Sequence, residues 1–433
     1  MWLVTRDTNG LGKRFALPRA LRGALVRWYT GSGSQDDHAA SVSMVVTARE
    51  NHKWIACDCL GDEARPPLMS PAYLSFQETY YLRRLPSRPA HKRACPFYLP
   101  PAPDRIRERA DDTLFEIEFP KGLFNAHKEA PEKLAQAPLD SEPDDRSRGV
   151  DIPRLARLLW MLLEAVRTNV IQALPPEGRP EFSIRDELRK VWQAAQRFEI
   201  APGICLADHL YTKATDYESL RVHARLREAA KKWPVGYAPQ AFLLLEANAI
   251  TGTDIETGLG TVSVRNRIQH TGIIRAQVEP PFLVLAVVGE HSKREGYLPL
   301  RAYAQPVFKG NQFIPTDRGD DRQLLERLTR FQYRMRAKGV QVAIKRPLFD
   351  IFHPSGNVRP DLVVAYLDWR TGEEADFAVQ VLRETTSHYL ERKLIEKARI
   401  TEIRPALTIT LDDISTDAIL DKLEAMVEGG VAS

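Results

Sequence analysis

The sequence predicts a multidomain protein of the α+β or α/β class, with a β-rich first module, a helical middle region and an α/β domain at its end. Three observations predict this organisation. The chain has 433 residues, enough for about three domains. Its apolar content of 43% and charged content of 27% are those of a globular protein that buries a core. The apolar pattern becomes helical near residue 151 and returns to strand-like segments after about residue 250.

Residues 1–125 are predicted to form the β-rich module. Short strand-like segments alternate there with turn-rich breaks, and they read SVSMVV, KWIACD, TYYLRRL and TLFEIEF. Residues 126–150 are rich in proline, alanine and charge and have no apolar periodicity. This composition predicts a linker.

Residues 151–250 are predicted to be helical, and residues 251–318 to be a β-rich connecting segment with strands in FLVLAVVGE and GYLPLRAYAQPVF. Ser183 followed by Asp186 resembles a capping box at the start of one helix. YESLRVHARLREAAKKW predicts another helix. The first helix begins near Pro153 and shows helical spacing of Leu155, Leu158, Leu159, Leu162, Val166 and Val170.

Residues 319–433 predict an α/β domain with the order helix, three strands, helix, strand, helix. Gly339 is expected to end the first of these helices. The strands are predicted in VQVAIKRPLF, RPDLVVAYLD, DFAVQVL and ALTITL. The first helix has one apolar stripe, formed by Leu324, Leu325, Leu328, Phe331 and Met335.

Composition also excludes some classes of protein. No apolar segment approaches the length of a signal peptide or a membrane span, so we expect a cytoplasmic protein without membrane contact. Four cysteines in a chain of this length do not predict a secreted disulfide framework. The net charge of +4 neither requires nor excludes nucleic acid as a partner.

Three of the four cysteines lie close together with one histidine, in the pattern Cys57-x-Cys59 and His91-x-x-x-Cys95. Three thiolates and one imidazole are a closed tetrahedral donor set, which predicts a structural zinc ion and no open position for substrate. Two free cysteines beside an unrelated pair, or a redox site, are the alternatives. Cys205 has no such neighbours and is expected to be a core residue.

Between and beside these ligands lies the basic segment YYLRRLPSRPAHKRAC, which has no acidic residue and includes Tyr80 and Tyr81. Such a segment is suited to phosphate contacts and base stacking, although a solvated basic face is the common alternative. The helix predicted after residue 319 shows a second basic stripe at helical spacing. The nucleic-acid contacts predicted from these two features are Arg83, Arg84, Arg88, Lys92, Arg93, Arg327, Arg330, Arg334 and Lys338.

WIACDC, the later His91 to Cys95 segment and the RPDLVV … YLERK end resemble the family catalogued as domain of unknown function 1173. The resemblance covers most of the chain. That family is found mainly on plasmids and other mobile elements, so the resemblance implies a genetic context and no established activity.

The order of elements after residue 319 resembles the PD-(D/E)XK nuclease core, and Pro360-Asp361 lies where that superfamily places its first metal-binding carboxylate. The resemblance implies a carboxylate pair that holds Mg²⁺ and a lysine near the attacking water. The positions of the next motif are Ala378 and Gln380, so the motif is degenerate. Asp376 is two residues earlier on the same strand face and could substitute only if the strand end bends inward. Lys393 could replace the missing lysine, because some members of the superfamily carry it on the following helix.

The predicted function is therefore that of a zinc-containing nucleic-acid-binding protein of a plasmid or integrative element, with an inactive nuclease-like domain. DNA is the favoured nucleic acid. One alternative is an active Mg²⁺-dependent endonuclease, in which case Mg²⁺ is a second cofactor. Another is a scaffold that binds other proteins of a conjugation or replication complex, and an unrelated α/β fold stays open for the last domain.

Overall fold

The structure is a computed structural model of the chain. It describes residues 1–7, 10–61, 65–74, 79–85, 88–98, 153–175, 182–234, 238–266, 268–270, 279–292, 295–351, 353–354, 357–385 and 387–428. These residues form two compact units, one within residues 1–98 and one within residues 153–428. The TLFEIEF segment and the predicted linker lie outside them. No helix in the described ranges is long and apolar enough to cross a bilayer.

The first unit is an antiparallel five-stranded sheet with two helices, and its strands have the order β2-β1-β3-β4-β5. Its core contains Leu25, Val45 and Ile55, which are all fully buried. The elements are β1 (Trp2–Asp7), β2 (Gly10–Ala16), α1 (Arg19–Thr30), α2 (Gln35–Glu50), β3 (Lys53–Ala56), β4 (Leu68–Leu74) and β5 (Thr79–Arg84).

One predicted strand of this unit is wrong, because SVSMVV lies inside α2. The helix begins with a capping box in which the Ser34 hydroxyl accepts from the Asp37 N–H and the Asp37 carboxylate accepts from the Ser34 N–H. Val42 and Val45 are buried at helical spacing against the sheet. The cap and this burial outweigh the strand preference of the valines.

The second unit begins with a region of helices and short strands around a sheet of order β14-β16-β15-β10-β9, with β17 paired to β16. Strand β10 is buried on both faces, which explains its continuous apolar sequence. The elements are α3 (Arg154–Ala165), β6 (Val170–Ile171), α4 (Ile184–Ala195), β7 (Glu199–Ala201), β8 (Ile204–Cys205), β9 (Leu210–Tyr211), α5 (Ala214–Glu218), α6 (Arg221–Ala230), β10 (Gln240–Ala247), β11 (Ala249–Thr251), β12 (Asp254–Thr257), β13 (Gly260–Ser263), β14 (Gln269–His270), β15 (Phe282–Ser292), β16 (Gly296–Lys309) and β17 (Gln312–Pro315).

Three details of the predicted helices differ in the structure. Helix α3 ends before Val166, and Val170 belongs to strand β6. Ser183 precedes α4 without a side-chain capping bond, so the predicted capping box is absent. The segment predicted as one long helix breaks into α5 and α6, because Leu220 adopts a left-handed backbone conformation with φ of 59°.

The last part of the chain has the predicted order of helix, three strands, helix, strand and helix, which the structure confirms. Gly339, with φ of 81°, follows the first helix as expected. The elements are α7 (Gly319–Ala337), β18 (Val340–Lys345), β19 (Leu362–Asp368), β20 (Glu374–Leu382), α8 (Ser387–Ile403), β21 (Ala406–Thr410), α9 (Leu411–Ser415) and α10 (Ala418–Glu428).

These strands form a sheet of order β21-β20-β19-β18-β6, in which β20 and β21 are parallel and the other neighbours are antiparallel. Helices α7, α9 and α10 cover one face, where Leu328 and Phe377 are fully buried. Helix α8 covers the other face, where Ile400 packs near Ala378. Ile171 of β6 pairs with Ile344, so the middle region completes the sheet of the last domain.

Candidate metal centre and nuclease-like site

The Cys57 and Cys59 side chains lie in a tight turn directly after β3. The Cys57 N–H donates to the Pro67 carbonyl at 2.9 Å, and the turn closes with a bond from the Gly61 N–H to the Asp58 carbonyl at 3.0 Å. The Asp58 carboxylate accepts from the N-terminal ammonium at 3.0 Å and from both terminal nitrogens of Arg22 at 2.9 Å. The turn between the two cysteines is therefore held by the N-terminus and by α1.

His91 and Cys95 come from a second turn, and the structure brings all four predicted ligands together. Their donor atoms lie within 4.8 Å of one another. The sulfur atoms of Cys57 and Cys95 are 3.8 Å apart, and Nδ1 of His91 is 3.6 Å from Cys59 Sγ and 3.5 Å from Cys95 Sγ. In a tetrahedral zinc site, bond lengths of about 2.3 Å to sulfur and about 2.0 Å to nitrogen give S–S and S–N separations of about 3.8 and 3.5 Å. These three separations match a tetrahedral site, and the other three lie within 4.8 Å.

Burial controls the protonation of these ligands. It raises the pKa values of the Cys57 and Cys95 thiols, and the Cys59 thiol raises both further. It lowers the pKa of His91 to about 4, and the Arg84 guanidinium lowers it as well. His91 is therefore neutral at neutral pH, as a ligand must be, whereas the thiols must release protons when a cation binds.

The basic segment lies partly on edge strand β5 and partly on the turn that holds His91 and Cys95. Arg83, Lys92 and Arg93 are exposed, whereas Arg84 and Arg88 are half-buried. Tyr80 is 2% exposed and packs against Tyr73 with ring centroids 4.6 Å apart. The expectation that Tyr80 stacks on a base is therefore wrong, because its ring belongs to the core.

Asp361 directly precedes β19, and both of its carboxylate oxygens accept hydrogen bonds from other residues of the domain. Its Oδ2 accepts from the Val381 N–H at 2.9 Å, and its Oδ1 accepts from Nη1 of Arg383 at 2.7 Å. Burial raises the pKa of Asp361, but the positive charges of Arg383 and Lys393, together with the hydrogen bonds from the Val381 N–H and Arg383, lower it overall. Asp361 is therefore an ionised and largely buried carboxylate.

The structure brings Lys393 to this site but not Asp376. Lys393 is 4% exposed, acts electrostatically on Asp361 and pairs with Glu396 at 3.0 Å. Asp376 lies opposite Ala365 on the sheet and pairs with Arg404 at 2.9 Å. By the strand register it is four residues from the position opposite Asp361, which is about 13 Å along the strand. Asp376 therefore cannot complete a metal site with Asp361.

The positions of the degenerate motif also supply no second charged ligand. Ala378 packs in an apolar cluster under α8. Gln380 is 1% exposed, and its Nε2 donates to the Lys393 carbonyl and to Oε2 of Glu396, both at 3.3 Å. Positions 378 and 380 therefore do not supply the carboxylate and lysine of a nuclease-type Mg²⁺ site, which needs several oxygen ligands aimed at one ion.

Sequence reasoning missed the residues that surround Asp361. Asp320 and Asp321 in the first turn of α7 form ion pairs with Arg383, which comes directly after β20. Asp321 also forms an ion pair with Arg346. These residues are up to 63 positions apart in the chain, so no local spacing reveals them. The available signal was the pair of acidic residues at the start of a helix, a feature that usually serves only as a cap.

The basic stripe of α7 faces the last helix and is already paired. Nucleic-acid binding by this stripe stays a prediction, although its charges are largely compensated within the domain. The ion pairs join Arg327 and Arg330 to Asp417, Arg334 to Asp421 and Glu424, and Lys338 to Glu424 and Glu428.

Three family models match the chain. A domain of unknown function (DUF8534) matches residues 1–101, and a domain of unknown function (DUF8535) matches residues 116–307. A restriction endonuclease-like C-terminal domain matches residues 317–426. The last domain is restriction-endonuclease-like. Comparisons with curated proteins and with solved structures found no match. None of these models is domain of unknown function 1173, so that resemblance stays a prediction.

Proposed function

We propose that this is a zinc-containing nucleic-acid-binding protein whose restriction endonuclease-like domain binds DNA without cleaving it. The domain match supports contact with DNA. The Cys₃His cluster supports a structural zinc ion, because all four positions of a tetrahedron are filled by protein ligands. A mobile-element origin is supported by the resemblance to domain of unknown function 1173.

The observation that supports binding most directly is the place of the basic segment. Lys92 and Arg93 lie inside the turn that holds His91 and Cys95, and Arg83 lies on the strand that leads to it. A zinc ion at the cluster would fix this turn, so that exposed cations keep constant positions. Ordered cations along a surface bind a phosphate backbone with little loss of side-chain freedom.

The hydrogen bonds of Asp361 support the proposed absence of cleavage. Both of its oxygens accept hydrogen bonds within the domain, and the neighbouring motif position is Ala378. One committed carboxylate does not hold a divalent cation in place for water activation.

Fluorescence anisotropy of the zinc-loaded full chain with labelled duplex DNA, measured at several salt concentrations, tests binding. We expect Arg83→Gln/Lys92→Gln/Arg93→Gln to weaken binding to all sequences alike. The negative slope of log K against log salt should become shallower by up to about 2.7, since each lost phosphate contact removes about 0.9 from its magnitude. Arg84 is left unchanged because it is half-buried beside His91.

The matched control is Arg185→Gln/Arg197→Gln/Lys232→Gln, which removes the same charge from exposed positions of the second unit. It should leave the slope unchanged. Equal binding by both triple variants and the parent would show that the basic segment is a solvated face. If the parent binds no nucleic acid at low salt, the scaffold alternative takes the place of this proposal.

An active endonuclease is the second candidate, and one observation favours it. The Lys393 ammonium acts on Asp361, as the lysine of a working nuclease site would. A cleavage assay separates this candidate from the proposal.

A further inference from the structure

We infer that the Arg383 guanidinium replaces a divalent cation in this domain, as a permanent internal counterion for carboxylates that would otherwise hold a metal. The inference goes beyond the proposed function and does not depend on nucleic-acid binding.

The geometry around Arg383 is that of a central cation. Its Nε donates to Asp320 Oδ2 at 3.1 Å, its Nη2 to Asp321 Oδ1 at 3.0 Å and its Nη1 to Asp361 Oδ1 at 2.7 Å. Each nitrogen therefore meets a different carboxylate. Two of these carboxylates come from the start of α7 and one from the start of β19, so separate elements converge on one charge.

Burial makes this charge necessary. Asp321 is 1% exposed, and the side chains of Arg383 and Asp361 are 9% and 13% exposed. Several carboxylates at such a site repel one another and lose hydration unless a cation lies between them. Arg346 supplies a second cation, which forms ion pairs with Asp317 and Asp321.

The position of Arg383 is fixed by its own surroundings. Its backbone N–H donates to the Tyr389 hydroxyl at 3.1 Å, and that hydroxyl donates to the Val381 carbonyl at 3.3 Å. Tyr389 on α8 is fully buried. These two hydrogen bonds therefore fix the backbone after β20 in a conformation that points the guanidinium at the carboxylates.

This arrangement has a consequence that can be measured. Without the guanidinium, three carboxylate oxygens face a vacant centre, and hard divalent cations prefer such ligands. An uncharged residue at position 383 should therefore create a binding site for Ca²⁺, Mn²⁺ or Mg²⁺ that the parent chain lacks. The Asp361 carboxylate should be required for it.

The test is thermal unfolding of the zinc-loaded full chain with and without millimolar Ca²⁺, with Mn²⁺ and Mg²⁺ as further probes. We expect the Tm of Arg383→Gln to lie below that of the parent and to rise by roughly 4 °C or more with Ca²⁺, while the parent moves by less than about 1 °C. Arg383→Gln/Asp361→Asn should lose the response.

Arg404→Gln is the matched control, because it removes a partly buried arginine that pairs with the single carboxylate Asp376 on the same sheet. It should show no response to Ca²⁺. If Arg383→Gln does not fold in chelator, its refolding with Ca²⁺ becomes the readout, and failure to refold overturns the inference. An equal response in the parent, or a response that survives Asp361→Asn, also overturns it. Because no nucleic acid is present, failure here leaves the proposed function untouched.

Discussion

Exchange of Cys57 for serine tests the metal centre most sharply. Cys57 is 3% exposed, and its sulfur is 3.8 Å from that of Cys95. A regular tetrahedron with this edge has its centre about 2.3 Å from each corner, which is the zinc–sulfur bond length. The serine side chain is shorter than that of cysteine, so its oxygen does not reach this centre. Its hydroxyl is also a much weaker acid than a thiol, so it does not become an anion at neutral pH.

The expected magnitude follows from the loss of one of four ligands. Exchange of residues that only support zinc ligands weakens binding about 10- to 100-fold, so loss of a ligand itself should weaken it by at least about 100-fold. Where zinc is in excess, a change of this size removes about 2.7 kcal/mol from the stability of the first unit. The second unit should keep its own stability, because it does not contain the cluster.

The assay is elemental analysis after dialysis, combined with X-ray absorption spectroscopy. The parent should hold about one zinc per chain with three sulfur atoms near 2.3 Å and one nitrogen near 2.0 Å. Cys57→Ser should lose zinc, and Cys205→Ser, which alters the cysteine outside the cluster, should retain it. A parent without metal, or with a shell of oxygen atoms, would refute the zinc interpretation.

Two further predictions concern the second unit. The folded-state pKa values of Asp321 and Asp361 are lowered, so their stabilisation is complete above the unfolded pKa of about 4 and is lost as the pH falls through the folded values. Urea unfolding should therefore show that the cost of Asp361→Asn shrinks as the pH falls below about 4. Glu424 is 7% exposed and pairs with two cations of α7, so Glu424→Gln should cost about 1–3 kcal/mol in the same assay. Glu428→Gln, at an exposed position on the same helix, should cost less than about 1 kcal/mol, and equal costs would contradict the reasoning.

The Cys₃His cluster and the order of elements in the last domain could be predicted because their signals are local. Cys57 and Cys59 are one residue apart, and few other roles suit that spacing. The apolar stripe of α7 repeats within one helix. Strand β6 was missed because Val170 continues the helical spacing of α3, and only its partner β18, far along the chain, reveals its state.

The role of charged residues could not be predicted in the same way. The cations of α7 have the spacing of a phosphate-binding stripe, but their partners lie on α10 and at Asp417 directly before it, up to 90 positions later. Arg383 has no neighbour in sequence that indicates its part in the site. Ion pairs between distant elements depend on how the helices pack, and single-sequence patterns do not contain that information.

The most direct test of the central claim measures binding and cleavage in the same samples. The zinc-loaded chain is incubated with plasmid, linear duplex and single-stranded DNA in the presence of Mg²⁺ or Mn²⁺. We predict that the DNA is bound and remains intact, because Asp361 lacks a second carboxylate ligand at position 378 and is already engaged by Arg383. Cleavage that disappears in both Asp361→Ala and Lys393→Ala, with folding intact, would contradict the account and establish an active nuclease.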